Sequence, residues 1–98
     1  SSGPLFRSSK IDKNKIILNF DHIGSGLLLK EERQEFEIAG FDKIYIKAHV
    51  INNKNHLEVY SEKVRNPVYV RYAWSDTSSA SLFNFEGLPA SSFSTELE

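Results

Sequence analysis

The sequence contains no cysteine, and only three prolines and five glycines occur among its 98 residues. Without disulfides, stability has to come from a hydrophobic core, and a single domain of this length hides roughly 60–65% of its unfolded surface, enough for one modest core. No apolar run approaches the roughly 18 consecutive residues that a membrane-spanning helix requires. We therefore expect one globular domain with no membrane partner.

An excess of basic residues is also missing. The net charge is −1, and the lysines are scattered along the chain instead of forming a stripe. A protein that binds nucleic acid would show such an excess, so we expect no nucleic-acid partner. What the chain does contain is 40% hydrophobic residues and 12% aromatic residues, a composition typical of globular proteins and too apolar for disorder.

The clearest pattern lies in residues 66–74. Apolar and aromatic side chains at Val68, Val70, Tyr72 and Trp74 alternate with Tyr69, Arg71 and Ala73. A period of two is typical of a strand with one buried face, and Pro67 stands where a strand tolerates it, at the beginning. We predict that this strand forms the centre of the core, with Trp74 and Tyr72 pointing inward.

Two further stretches predict β-hairpins. A two-residue turn at Lys13-Asn14 would set Ile11 opposite Ile16, both on the buried side. Residues 43–51 alternate over the longest range, with Ile44, Ile46, Ala48 and Val50 inward. A turn at residues 52–55 would then pair Val50 with Leu57 and Ala48 with Val59.

No window shows a helical face of three turns or more. About seven short strands separated by turns predict an all-β fold, a single antiparallel two-layer β-sandwich over residues 5–95. Beyond Trp74 the chain is rich in serine yet carries three phenylalanines, so we expect an ordered irregular C-terminal segment. Residues 1–4 are interpreted as a linker and residues 96–98 as a tail, in which Leu97-Glu98 has the look of a cloning remnant.

Candidate catalytic and metal-binding residues are few. Asp21, His22 and Ser25 lie within five residues, whereas a catalytic triad needs side chains that converge from separate elements, so we interpret His22 as a loop histidine. His49 and His56 flank one turn without a third ligand at suitable spacing. We predict no metal and no cofactor.

Aromatic residues on the outer strand faces leave one binding function open. Tyr45, Tyr60 and Tyr69 are predicted to point outward, and a row of exposed rings could stack on the apolar face of a sugar. The alternative is that these rings pack against lysine and arginine stems of neighbouring strands. A glycan is therefore a possible partner.

The strings NPVYVRYAWSD and LFNFEGLPASSFST resemble the C-terminal end of the sialate O-acetylesterase family, carbohydrate esterases of the SGNH-hydrolase type. Upstream, SGPLFRSSKI, NFDHIGSGLLLK and FEIAGFDKIYIKA are similar to the rest of that family's C-terminal β-domain, in the same order. The resemblance covers residues 2–95. The chain departs from the family pattern at Phe83, Ser92 and Ser94, where tyrosine, proline and arginine are usual.

The resemblance implies that the chemistry belongs to an upstream α/β domain with a nucleophilic serine and an Asp-x-x-His pair. Neither is found here: no aspartate is followed by a histidine three positions later, and no serine stands in a strand-to-helix elbow. The resemblance thus implies a non-catalytic accessory domain that docks on the esterase domain of the same polypeptide, outside the cytoplasm. The residues predicted to dock are Arg71, Tyr72, Trp74, Leu82, Phe83, Phe85, Leu88 and Phe93.

Overall fold

A computed structural model of the protein describes residues 2–30, 35–74 and 80–97. These residues form short strands and one 3₁₀ helix, Thr95–Leu97. The strands are β1 (Leu5–Asp12), β2 (Lys15–Asp21), β3 (Leu27–Leu29), β4 (Phe36–Ala39), β5 (Ile46–Lys47), β6 (His49–Asn52), β7 (His56–Tyr60), β8 (Tyr69–Tyr72), β9 (Leu82–Asn84) and β10 (Phe93–Ser94). No helix in the described ranges has the length and apolarity needed to cross a bilayer.

Two four-stranded antiparallel sheets enclose one core, which confirms the predicted all-β sandwich. The first sheet has the order β1-β2-β7-β6, and the second has the order β10-β8-β4-β5. Strands β3 and β9 form a separate two-stranded ribbon. The C-terminal segment is ordered from residue 80 onward, as predicted, and it contributes β9 and β10; residues 75–79 lie outside the described part of the chain.

The first hairpin has the predicted register. Ile11 lies opposite Ile16, and Asp12 lies opposite Lys15, so Lys13-Asn14 is the connecting turn. The predicted burial of Ile11 was wrong, because its side chain is 53% exposed. Ile11 lies next to the turn on β1, an edge strand of its sheet, where fewer neighbours cover it than cover Ile16 on β2.

The second hairpin pairs two residues away from the predicted register. Val50 lies opposite Val59 and Asn52 opposite Leu57. The turn is tighter than predicted because the Asn53 amide donates to the His56 carbonyl at 3.0 Å, leaving only Lys54 and Asn55 at the tip. Since side chains alternate with a period of two, a two-residue shift keeps every inward residue on the inward face.

The long alternation of residues 43–51 is divided between the two sheets. β5 pairs with β4 in the second sheet, whereas β6 pairs with β7 in the first, and Ala48 lies between them. Ile44 was predicted to point inward but is 66% exposed, since it precedes β5 and belongs to the turn after β4. The alternation therefore correctly predicted that Ala48 points inward. The interpretation of residues 43–51 as one continuous stretch was wrong.

Strand β8 lies at the centre of the second sheet, as predicted, and buries Val70 and Tyr72 completely. The prediction that Trp74 points inward was wrong. Ala73 adopts a left-handed conformation with φ of 51°, which ends the alternation after Tyr72. Ala73 itself is buried, whereas the Trp74 side chain is 49% exposed.

Aromatic rings from both sheets meet in the core around Phe93. Its ring stacks on Phe6 with centroids 4.7 Å apart and meets Phe20 and Tyr72 at 5.7 and 5.8 Å. The ring of Phe36 lies 4.7 Å from that of Tyr72. The remaining fully or nearly fully buried apolar residues are Pro4, Ile16, Leu18, Leu27, Ile38, Ala39, Ala48, Leu57, Val59, Pro67, Val70, Ala73 and Leu82.

Candidate interaction surface

The two ends of the sandwich carry different features. The Gly3 end consists of residues 2–5, 22–30, 53–56 and 81–90, which backbone contacts and hydrogen bonds join together. The Lys13 end consists of residues 11–15, 40–46 and 61–67, which line two open surface grooves. Strand register separates the two, since Leu5 lies opposite Asp21 at one end of β1 and Asp12 lies opposite Lys15 at the other.

At the Gly3 end, the first described residues pack tightly on the domain. Gly3 and Pro4 are both buried. A Cβ atom placed on Gly3 would lie 2.0 Å from the carbonyl oxygen of Pro89 and 2.8 Å from that of Leu88, so only glycine allows this approach. Packing of the domain thus already includes two residues that the sequence assigned to a linker.

Three neighbouring segments at this end place apolar side chains in one row. Leu28 on β3 lies opposite Phe83 on β9, and Phe83 forms a further bridge to Pro89. Residues opposite each other in antiparallel pairs point to the same side, and Phe85 follows Phe83 on that side by the period of two. We call Leu28, Phe83, Phe85 and Pro89 the ribbon face. Phe85 is 50% exposed and Leu28 and Pro89 are also exposed.

Lysine side chains border the ribbon face. The Lys30 Nζ lies 4.6 Å from the centroid of the Phe83 ring, and the Lys54 Nζ lies 5.8 Å from that of Phe85. Both are cation–π contacts, which hold an ammonium group beside each ring. The Phe85 ring lies over Gly26, where an added Cβ would come within 2.9 Å of it. Glycine at position 26 therefore leaves the space that this ring occupies.

The structure distributes the eight predicted docking residues over several environments. Tyr72 and Leu82 are fully buried and belong to the domain's own core, and Phe93 lies in the aromatic cluster between the sheets. Arg71 lies on the outer face of the second sheet. The others, Trp74, Phe83, Phe85 and Leu88, keep part of their side chains accessible. Phe83 and Phe85 are brought together on the ribbon face, next to Leu28 and Pro89, which sequence reasoning missed.

The Lys13 end exposes large apolar side chains that sequence reasoning did not single out as a surface. Phe41 is 84% exposed, Ile44 is 66% exposed and Ile11 is 53% exposed. Ile44 lines an open groove of about 300 Å³ together with Ile46, Val64 and polar neighbours. A larger groove of about 730 Å³ at this end is lined by polar residues, Lys13, Asn14, Ser61, Glu62, Arg65 and Asn66.

The tyrosines predicted to form a sugar-binding row do not share one surface. Tyr69 lies on β8 in the second sheet, and Tyr45 packs against the neighbouring Arg71. Tyr60 lies on β7 in the first sheet, where its ring contacts His49 at 5.3 Å between centroids. Since the outer faces of a sandwich point to opposite sides, Tyr60 faces away from Tyr45 and Tyr69, and sugar binding by these tyrosines stays a prediction.

A network of charged and aromatic groups covers the outer face of the second sheet. The Arg71 guanidinium stacks on the Tyr45 ring, with its Cζ 3.9 Å from the centroid, and its Nε donates to Glu37 Oε1 at 2.8 Å. The Tyr45 hydroxyl donates to Glu96 Oε2 at 2.5 Å, and Lys43 pairs with the other Glu96 oxygen at 3.2 Å. One ring face of Tyr45 is thus occupied by arginine, as the packing alternative for these tyrosines predicted.

This network shifts two pKa values. Burial and, after it, the hydrogen bond to Glu96 raise the pKa of Tyr45 far above its ordinary value. The hydrogen bond from Tyr45, together with Lys43, lowers the pKa of Glu96. Both shifts favour the pair in which Tyr45 is protonated and Glu96 is ionised, which is the state that holds the 3₁₀ helix against the second sheet.

Ser25 is not arranged as a nucleophile. Its hydroxyl donates to Glu86 Oε2 at 2.7 Å, and this hydrogen bond lowers the pKa of the Glu86 carboxyl. A nucleophilic serine would instead donate to a histidine base. His22 is exposed, and Asp21 pairs with Arg7 at 3.7 Å. The loop from β2 to β3 brings no acid, base and nucleophile together.

The remaining histidines pair with separate carboxylates. His49 Nε2 lies 3.3 Å from Glu62, and His56 Nε2 lies 3.5 Å from Glu58. Among residues 2–30, 35–74 and 80–97, no three histidine, cysteine, aspartate or glutamate side chains converge as metal ligands would.

The fold of this chain is similar to part of a solved enzyme structure. The chain is similar to a carbohydrate acetylesterase from Xanthomonas citri, whose crystal structure matches it with a TM-score of 0.86 and 37% sequence identity over 96% of this chain. No protein-family model and no curated protein matches the chain.

The match covers only 22% of the esterase, so this chain spans about a fifth of that protein's length. The chain is thus related to one domain of a carbohydrate esterase. This confirms the broader part of the sequence resemblance, the relation to carbohydrate esterases. Its placement in the sialate O-acetylesterase family stays a prediction.

Proposed function

We propose that this chain is a non-catalytic accessory domain in the polypeptide of a carbohydrate O-acetylesterase of the sialate O-acetylesterase type. It packs on an upstream hydrolase domain and stabilises it. The observation that carries the proposal is the match to a carbohydrate acetylesterase over 96% of this chain but 22% of that protein. A segment of that length has the size of one domain, and the rest of the esterase is large enough to hold a separate hydrolase domain.

The arrangement of polar side chains supports a role without chemistry. Hydrolysis of an acetyl ester by a serine enzyme needs a hydroxyl that donates to a base, and an oxyanion site beside it. In the described chain, Ser25 donates to Glu86, while His49 and His56 each face a carboxylate of their own. The catalytic groups would then come from the upstream domain.

The partner in this proposal is the hydrolase domain of the same polypeptide. Gly3 packs on the backbone of Leu88 and Pro89, and Pro4 is buried, so a preceding domain would be tethered directly at the Gly3 end. A short tether raises the effective concentration of two surfaces to the millimolar range, so that even a modest interface stays closed. The domain would thereby restrict motion of the hydrolase domain near the interface.

A truncation experiment tests the proposal. The full polypeptide would be compared with a form that ends before Pro4, using thermal unfolding and turnover of 4-nitrophenyl acetate and of an O-acetylated sialoside. We expect the truncated form to melt at a lower temperature, to aggregate more readily and to lose turnover in parallel. Unchanged melting and unchanged turnover after truncation would refute the supporting role, and a full polypeptide without acetylesterase activity would refute the enzyme class.

A further inference from the structure

We propose that the ribbon face, Leu28, Phe83, Phe85 and Pro89, is the surface with which this domain contacts the hydrolase domain of its polypeptide. The inference rests on the proposed function and adds the site of contact to it. The partner surface would be apolar at its centre and would carry carboxylates at its rim. Three observations lead to this surface.

The first observation is the arrangement of the side chains. Leu28, Phe83 and Pro89 align across three adjacent segments, and Phe85, the residue after β9, extends the row with its amide bonded to the Gly26 carbonyl. Adjacent segments lie about 4.8 Å apart, so the row spans roughly 10 Å. The inner side of the same ribbon is occupied by the buried Leu27 and Leu82. A ribbon that is apolar on both sides is expected where its outer side also meets a packing partner.

The second observation is where the chain enters the domain. Gly3 lies against the backbone of Leu88 and Pro89, so it is one segment away from the row. Any residues that precede Ser2 must therefore leave the domain beside the ribbon face. A domain that precedes this chain is therefore joined to it next to Pro89, which pairs with Phe83. The occupant favoured by this geometry is the preceding domain itself.

The third observation is the charge at the rim. Lys30 and Lys54 each hold an ammonium group next to a ring of the ribbon face. Charged rims around an apolar centre are typical of protein interfaces, and cationic rims fit carboxylates on the partner. Aromatic side chains, phenylalanine among them, are also enriched at the cores of protein interfaces. The chemistry of the surface is thus that of a protein contact.

The Lys13 end provides a matched control. Phe41 and Ile44 are more exposed than Phe85, but no described residue leads the preceding chain toward them. The molecule measures 36 Å along its longest axis, and strand register sets the two ends apart. A domain tethered at Gly3 would have to extend along the whole sandwich to cover Phe41. If exposure alone decided which residue contacts the hydrolase domain, that residue would be Phe41. The position of the tether at Gly3 instead predicts that it is Phe85.

Hydroxyl-radical footprinting of the full polypeptide tests the assignment without any substitution. The exposed fractions of Phe85 and Phe41 are 50% and 84%. If the ribbon face is covered, Phe85 should be oxidised more slowly than Phe41 by more than the ratio of these two fractions. Oxidation of Phe85 and Phe41 in proportion to their exposed fractions would overturn the proposal, as would selective protection of Phe41.

Substitutions in the full polypeptide provide an independent readout. We expect Phe85→Ser to lower the temperature at which the hydrolase domain melts by about 2–4 °C, while Phe41→Ser leaves it unchanged. An equal shift for both variants, or none for Phe85→Ser, would contradict the assignment. These outcomes are separate from the enzyme class, since a polypeptide without esterase activity can still show protection of Phe85, and an active esterase can show none.

Discussion

At the scale of single residues, Tyr72 has a role that its burial alone does not reveal. Its hydroxyl oxygen accepts hydrogen bonds from the backbone amides of Ser81 and Leu82 at 2.9 and 3.0 Å, and all of these groups are buried. The tyrosine thereby fixes the start of β9 on the centre of the second sheet. The ribbon that carries Phe83 and Phe85 depends on this anchor.

We therefore expect Tyr72→Phe to destabilise the domain. The substitution keeps the ring but leaves two buried amides without an acceptor, which costs about 2–6 kcal/mol at roughly 1–3 kcal/mol for each group. Tyr69→Phe, on the outer face of the same strand, should cost less than about 1 kcal/mol. Urea denaturation of both variants measures the difference, and equal losses would show that the Tyr72 hydroxyl does not anchor β9.

The pair of Tyr45 and Glu96 predicts how stability changes with alkaline pH. Because burial and the Glu96 carboxylate raise the pKa of Tyr45, the folded state keeps a proton that the unfolded chain releases above the ordinary value of 10.0. The stabilisation is therefore complete below pH 10 and is lost as the pH rises further. Tyr45→Phe should remove this part of the pH dependence of the free energy of unfolding.

Glu96→Gln is the matched control for this effect. It removes the hydrogen-bonded carboxylate but leaves the burial of Tyr45, the larger cause of its raised pKa. We expect a partial flattening of the profile above pH 10, intermediate between the parent chain and Tyr45→Phe. A Tyr45→Phe profile that falls as steeply as that of the parent would contradict the assignment.

The alternating pattern correctly identified inward residues where the backbone keeps its strand conformation, as at Val70 and Tyr72. They failed at Trp74 because Ala73 adopts a positive φ that nothing in an alanine signals. Phe85 could be predicted as a docking residue because it lies in the C-terminal segment that carries three phenylalanines. Leu28 could not, because its pairing with Phe83 joins residues far apart in the chain.

At the scale of elements, the turn between β1 and β2 carries backbone strain that can be measured. Lys13 has a φ of 58°, a left-handed conformation that costs a residue with a side chain about 1 kcal/mol relative to glycine. Lys13→Gly should therefore stabilise the domain by about 0.5–1 kcal/mol. Asn14→Gly, at the neighbouring turn position, should bring no such gain, and urea denaturation of the two variants compares them directly. A loss of stability in Lys13→Gly would show that the turn is not strained.

Turn chemistry predicted where the hairpins lie but not the pairing of the second one. Asn52 Oδ1 accepts a hydrogen bond from the Lys54 amide at 2.8 Å, which tightens the turn and moves the register by two residues. Four consecutive polar residues permit either turn, so their sequence does not discriminate between them. The division of residues 43–51 between two sheets arises likewise from pairing with β4 and β7, distant in sequence.

At the scale of the whole molecule, the sandwich has two ends with different surfaces. The Gly3 end joins the incoming chain to a row of apolar side chains, while the Lys13 end bears polar grooves and isolated apolar residues. Alternation and turn signals were sufficient to predict the sandwich. They could not predict the ribbon face, since it is assembled from three segments that only the folded chain brings together.

Turnover of 4-nitrophenyl acetate, measured for this 98-residue chain alone and for the proposed full polypeptide, distinguishes a contact domain from a catalytic one. We expect the full polypeptide to hydrolyse the ester, and the chain alone to show no turnover above that of its Ser25→Ala variant. Turnover by the chain alone that disappears in Ser25→Ala or His22→Ala would contradict the claim that this domain provides contacts and no catalytic group.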